Sequence, residues 1–137
     1  MKRLLFSSLL IGFALSANAQ TANPSDPAIV AKAQTYAQEV YKDYAMYMTP
    51  THMLYYQEWL SRVEIKTVPV TASETFTLLS NVGLKDKYNP ALQRDNAQNF
   101  NPATFNPFKY FLEFETKTDK TYRIDQTNYV VIVHAKQ

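Results

Sequence analysis

The sequence predicts an α+β domain, in which an N-terminal amphipathic helix packs on a mainly antiparallel sheet of about four strands with a C-terminal three-strand meander. Three observations lead to this prediction. Apolar residues recur at spacings of three and four over residues 27–48, apolar and polar residues alternate over 62–70, and they alternate again from residue 108. Helix and strand patterns do not follow each other in a regular βαβ order, which argues against a parallel sheet.

Residues 1–19 have the three parts of a secretory signal peptide. Lys2 and Arg3 supply a positive start, residues 4–15 form a largely apolar stretch, and an Ala-Asn-Ala motif ends at Ala19. The apolar stretch is shorter than the roughly 20 residues that cross a bilayer as a helix. We therefore expect cleavage after Ala19, a periplasmic or secreted location, and no transmembrane anchor after cleavage.

Cleavage leaves residues 20–137, which we expect to form a single domain. Lys2 and Arg3 account for the formal net charge of +2, so the mature chain is formally neutral. A neutral domain lacks the positive field that draws proteins to nucleic acid, and we expect no nucleic-acid partner. The chain contains no cysteine, so we expect its abundant aromatic side chains, and not disulfides, to stabilise the fold.

The first predicted element is a helix over residues 27–48. Asp26 and Pro27 are typical of a helix start, and Pro50 follows the last residue of the apolar pattern. The helix carries four tyrosines, which either stack against a ligand or bury one face of the helix against the sheet. The periodicity favours the second interpretation. These residues are Tyr36, Tyr41, Tyr44 and Tyr47.

Two segments allow either a helix or a strand. Residues 50–60 can form a short capped helix, but their pattern is ambiguous. Residues 62–70 alternate clearly and predict a strand. Residues 71–74 have the spacing of a capping box, which favours a helical turn over 74–80, whereas 75–78 alternate like a strand.

The C-terminal third predicts the three-strand meander. Residues 108–115 alternate between apolar and polar side chains, and a turn at 118–120 separates them from a second strand at 122–125. The last strand, 129–133, is apolar on both faces, as is typical of a strand inside a sheet. We therefore expect it to lie beside the strand at 62–70.

An aromatic-Asn-Pro motif occurs at 88–90, 100–102 and 105–107, within one segment at 85–107. Proline extends the residue before it, and the asparagine side chain can then accept a backbone N–H to cap a turn. Long irregular segments in compact domains often carry function, so we expect a recognition surface here. The alternative is a crossover that only covers the sheet. The candidate recognition residues are Tyr88, Asn89, Arg94, Asn96, Asn99, Phe100 and Asn101.

Patterns for catalysis, metals and cofactors are scarce. His52 and His134 are the only histidines, and neither has a partner at metal-ligand spacing. Gly83 is the only glycine left after cleavage, whereas phosphate loops and nucleophile elbows need several. We therefore predict no catalytic residue, no metal site and no cofactor.

The leading functional hypothesis is a small exported non-enzymatic accessory protein that docks onto another envelope or secreted protein through the 85–107 segment and an exposed sheet edge. The alternative is a domain that binds a small ligand or glycan in an aromatic-lined pocket between the helix and the sheet. A more remote alternative is a hydrolase of envelope polymers, in which two of Glu58, Glu113 and Glu115 act as acid and base.

Overall fold

The computed structural model describes residues 22–137, so the predicted signal peptide and its cleavage site lie outside the described residues. The described chain forms two α-helices and a four-stranded mixed sheet, which confirms the predicted α+β class and number of strands. The helices are α1 (Pro27–Tyr41) and α2 (Pro50–Ser61). The strands are β1 (Val63–Thr67), β2 (Thr77–Leu78), β3 (Lys120–Arg123) and β4 (Tyr129–Val133).

Side chains cap both helix starts, as the sequence indicated for α1. The Asp26 carboxylate accepts a hydrogen bond from the backbone N–H of Ala28 at 2.8 Å. At α2, Thr49 and His52 form a reciprocal capping box, which settles the ambiguous 50–60 segment as a helix. The α-helix predicted to reach Met48 stops at Tyr41, because Lys42 has a positive φ of 49° and a 3-10 turn follows over 42–47.

The sheet has the order β1-β4-β3-β2. β4 pairs antiparallel with both β1 and β3, and its two apolar faces suit this interior position. β2 is parallel to β3 and contains only two residues, so the sheet is mixed. The ambiguous 74–80 segment combines both interpretations, because a 3-10 turn at Leu79–Asn81 directly follows β2.

The strand predicted at 108–115 is wrong, and the meander is reduced to the β3–β4 hairpin. A 3-10 turn occupies Pro107–Lys109, and the extended chain after it makes only one bridge, between Tyr110 and Leu84. Side chains form hydrogen bonds with part of the backbone of this segment instead. The Tyr122 hydroxyl accepts from the N–H of Glu113, and Arg62 donates to the carbonyl of Phe114 at 2.8 Å.

The core joins both helices to the irregular C-terminal segment. α1 makes its main contacts with α2 and the 107–109 turn, and its buried face belongs to the same core as Val131 and Val133 of β4. Phe108 is fully buried, and its ring makes edge contacts with Tyr36 of α1 at 6.3 Å and Tyr56 of α2 at 4.8 Å between centroids. A third edge contact reaches Phe114 at 6.4 Å. Neither helix within 22–137 has the length and apolar sequence needed to cross a bilayer.

We expect Phe108→Ala to lower the free energy of unfolding by about 3–5 kcal/mol, because it removes a ring that contacts three other rings in the core. Phe111→Ala is the matched control, since the Phe111 side chain is 63% exposed, and we expect a loss below about 1 kcal/mol. Denaturant-induced unfolding followed by circular dichroism measures both. Equal losses for the two variants would contradict this description of the core.

Candidate functional site

An aromatic cleft opens between α2 and the 3-10 turn at 42–47. It encloses about 310 Å³, and Tyr88 from the 85–107 segment closes one side. We call it the tyrosine cleft. It is lined by Tyr41, Tyr44, Tyr47, Met48, His52, Tyr55, Tyr56, Trp59 and Tyr88.

Local helix geometry places these side chains on one side. In a 3-10 turn residues three apart eclipse each other, which aligns Tyr44 with Tyr47. On α2, His52, Tyr55, Tyr56 and Trp59 follow the spacing of three and four that defines one helix face. The extended residues Met48 and Thr49 join the 42–47 turn to α2, and the tyrosine-bearing faces of both elements line the cleft.

The rings form a continuous row of contacts. Tyr88 lies at the centre, with its centroid 4.4 Å from that of Tyr44 and 5.7 Å from that of Tyr41. The row continues from Tyr41 to Tyr56 at 6.0 Å and from Tyr56 to Trp59 at 5.2 Å. Separations of this size are typical of favourable aromatic pairs, so the walls of the cleft hold each other in place.

The cleft is apolar but carries hydroxyl groups. Tyr56 donates a hydrogen bond to the Tyr41 hydroxyl at 2.9 Å, and burial, with this bond, raises the pKa of Tyr56 so that its phenol stays neutral. The Trp59 indole N–H donates to the Glu115 carboxylate at 2.7 Å. No Asp, Glu, Lys or Arg belongs to the cleft lining described above.

Large aromatic side chains are exposed at the cleft. Three residues of its lining, from the 42–47 turn and α2, have exposed fractions between 50% and 74%. Exposed apolar groups scattered singly are ordinary, but a contiguous set is typical of a binding surface. We call these residues, together with the cleft, the tyrosine surface. They are Tyr44, Tyr47 and Tyr55.

Most of the predicted recognition residues make contacts within the protein. Asn89 is buried, and its amide donates to the Glu39 carbonyl at 2.8 Å. The Arg94 guanidinium donates to two backbone carbonyls and lies 5.5 Å from the Tyr110 ring centroid. Phe100 packs against Phe105 and Tyr129.

The remaining asparagines form turns, as the motif at 100–102 predicted for Asn101. Asn96 and Asn99 cap each other's backbone N–H groups, and Asn101 accepts from the N–H of Ala103 at 2.9 Å. Of the seven predicted residues, only Tyr88 belongs to the tyrosine cleft. These contacts fit the alternative of a crossover, and a recognition role for the exposed residues of the 85–107 segment stays a prediction.

The carboxylates considered for hydrolysis are each paired with another group. Glu58 binds the buried Arg62, Glu115 binds Trp59 and Lys136, and Glu113 pairs with Lys120 at 3.1 Å. Among residues 22–137, no cluster of three or more His, Asp or Glu side chains is arranged to hold a metal ion.

Comparison with protein-family models, with curated proteins and with solved structures found no match. The tyrosine surface is therefore identified from its geometry alone. The sequence left two interpretations of the helix tyrosines open and favoured burial, whereas in the structure Tyr36 is buried but Tyr44 is exposed in the cleft. α1 ends at Tyr41, before Lys42, and this end separates the two tyrosines. In the sequence, the Thr49-Pro50 pair indicated that a second helix begins here.

We expect Arg94→Ala to lower the free energy of unfolding by about 1.5–3 kcal/mol, because two carbonyls, of Leu79 and Val82, lose a charged donor. Gln93→Ala is the matched control at an exposed neighbouring position, with an expected change within about 0.5 kcal/mol. Urea unfolding of both variants measures the difference. An unchanged stability of Arg94→Ala would show that this guanidinium is available for recognition.

Proposed function

We propose that this chain is a small exported accessory protein without catalytic activity of its own, and that it docks onto another envelope or secreted protein through the tyrosine surface. The observation that carries the proposal is the set of exposed tyrosines on the 42–47 turn and α2, which line a cleft of aromatic rings. Export rests on the leader pattern at residues 1–19.

The composition of the tyrosine surface favours a protein partner. Tyr, Trp and Met are enriched in protein interfaces, and charged residues are depleted at their centres. Met48 in the cleft lining adds a flexible apolar side chain, which suits an apolar protein surface better than a polar small molecule. The cleft offers a pocket for one anchoring side chain, which is where binding energy usually concentrates.

The proposed docking surface differs from the one predicted from the sequence. The 85–107 segment contributes Tyr88, whereas its asparagines and Arg94 are engaged within the fold. The kind of partner is the same as in the leading hypothesis, and the surface that would meet it is different.

We expect a photo-crosslinking residue at position 47 to yield one discrete adduct in the cells that make the protein, because the Tyr47 side chain is 74% exposed beside the cleft. The same residue at position 70 is the control, since Val70 is exposed but lies in the segment between β1 and β2. Gel electrophoresis and mass spectrometry of the exported protein measure the adducts.

A second pair of variants tests the energetics. Tyr44 is 57% exposed and Val70 is 61% exposed, so Tyr44→Asp and Val70→Asp introduce the same charge at similarly exposed positions. We expect Tyr44→Asp to reduce the adduct yield from position 47 roughly tenfold and Val70→Asp to leave it unchanged. Equal adducts from positions 47 and 70, or equal effects of the two aspartates, would refute docking through the tyrosine surface.

The second candidate function is binding of a glycan in the tyrosine cleft. The observation that favours it is a lining of tyrosine rings and hydroxyls without a charged side chain, which suits the apolar faces and hydroxyl groups of a sugar. The tyrosine cleft lies between the 42–47 turn, α2 and Tyr88, so it is a different site from the pocket between helix and sheet in the sequence-based hypothesis.

We expect a glycan that enters the cleft to change the fluorescence of Trp59, because it is the only tryptophan of the chain and lines the cleft. Titration with soluble envelope oligosaccharides measures this change, and Tyr88→Ala should weaken binding by roughly tenfold if one stacking contact is lost. An unchanged Trp59 spectrum at millimolar oligosaccharide would exclude this second function and leave the protein-docking proposal intact.

A further inference from the structure

β1 forms the longer edge of the sheet, and no strand among residues 22–137 pairs with its outer side. The order β1-β4-β3-β2 places β1 and β2 at the two edges, and β2 has only two residues. β1 has five, Val63–Thr67, and contains no proline. An edge strand of this kind presents a row of backbone donors and acceptors that can pair with another strand.

The phase of the β1–β4 ladder fixes which backbone groups point outward. The N–H of His134 donates to the carbonyl of Arg62 at 2.9 Å, and the N–H of Val68 donates to the carbonyl of Asn128 at 2.7 Å. The register between these two bonds is unbroken, so even-numbered residues of β1 face β4. The N–H and C=O groups of three residues therefore point away from the sheet, and within residues 22–137 they make no other backbone hydrogen bond. These residues are Val63, Ile65 and Thr67.

We propose that this protein forms a twofold-symmetric dimer in which β1 pairs antiparallel with β1 of a second copy. With Ile65 opposite Ile65 of the second copy, Val63 lies opposite Thr67, and all three outward-pointing residues find hydrogen-bonding partners. A symmetry axis at Val63 or Thr67 would leave part of the strand without a partner. The four-stranded sheet of each copy then continues into one sheet of twice that width.

The charges of β1 are complementary in this register. Glu64 lies opposite Lys66 of the second copy, and the symmetry repeats the pair on the other side of the axis. Both residues occupy non-hydrogen-bonded positions of the new ladder, where side chains approach most closely. Lysine on an edge strand commonly prevents pairing with other chains, and here it would select a strand that carries glutamate at the matching position.

The opposite face of β1 is apolar. Val63 and Ile65 are half-buried and belong to the rim of a recess of about 250 Å³, which Ile29, Leu60 and Phe105 also line. Pairing about Ile65 brings the two Ile65 side chains together on this face. The recess then lies under the shared sheet, so the dimer buries apolar surface together with the new ladder. This interface is separate from the tyrosine surface and does not depend on its function.

Charge reversal tests the register. We expect the exported protein to have twice the mass of one chain in sedimentation, and Glu64→Lys and Lys66→Glu each to raise the dimer dissociation constant roughly tenfold, because like charges then face each other. An equimolar mixture of the two variants should form a heterodimer, since each glutamate again faces a lysine. Lys117→Glu, at an exposed position outside the strands, is the control and should leave the dimer unchanged.

Stability is measured in parallel, because Glu64 also binds His134 at 2.7 Å and its reversal removes that contact within one copy. Lys66→Glu leaves the contact in place and provides the cleaner comparison. If both reversals dissociate the dimer but their mixture stays monomeric, the proposed register is wrong.

Amide hydrogen exchange gives an independent measure. The N–H groups of Val63, Ile65 and Thr67 should exchange slowly at high protein concentration and quickly on dilution, whereas those of Glu64 and Lys66, which face β4, should be slow at both. A monomer at every concentration would overturn the proposal. Slow exchange of all five amides in a monomer would also overturn it, because the edge would then be covered by the chain itself.

Discussion

Edge-on contacts of the Phe108 ring are the interaction on which the remaining structure depends. This ring touches α1 through Tyr36 and α2 through Tyr56, and it holds the start of the irregular C-terminal segment between them. Asn106 reinforces the contact, because its buried side chain donates to the Tyr36 carbonyl and accepts from the N–H of Phe108. The angle between the helices, and with it the tyrosine cleft, follows from this packing.

Buried arginines take the place of the strand pairing that the C-terminal segment lacks. Arg62 binds Glu58 and donates to the carbonyls of Phe114 and His134, and so joins α2, the irregular segment and the end of β4. Arg123 pairs with Glu74 and donates to the Val68 carbonyl, which fixes the connection between β1 and β2. In a chain without cysteine, these guanidinium groups act as non-covalent cross-links.

Much of the fold could be predicted from local rules. The cap at Asp26, the alternation of β1 and the apolar faces of β4 depend on neighbouring residues, and the sequence displays them directly. The alternation over 108–115 correctly separated the buried Tyr110, Leu112 and Phe114 from the exposed residues at 111, 113 and 115, but it placed the buried Lys109 on the polar face. It does not determine hydrogen bonding, however, because the Asn106-Pro107 turn and the distant Arg62 decide where this backbone goes.

The candidate site could be predicted less well. Aromatic-Asn-Pro motifs announce turns, but whether an asparagine caps its own turn or meets a partner depends on surrounding groups, such as the Glu39 carbonyl that Asn89 binds. The tyrosine surface depends on a helix break at Lys42, where a lysine adopts a left-handed conformation that its residue type does not favour. Nothing in the local pattern marks that position.

Trp59 lines two neighbouring cavities. One side of its indole lines the tyrosine cleft, and the residue also lines a second cavity with Lys85 and Phe111, while its ring stacks on Phe114 at 5.0 Å. A ligand that moves the indole from within one cavity therefore changes the shape of the other cavity. By thermodynamic linkage, if binding in either cavity moves this ring, binding in one cavity changes the affinity of the other by the same factor.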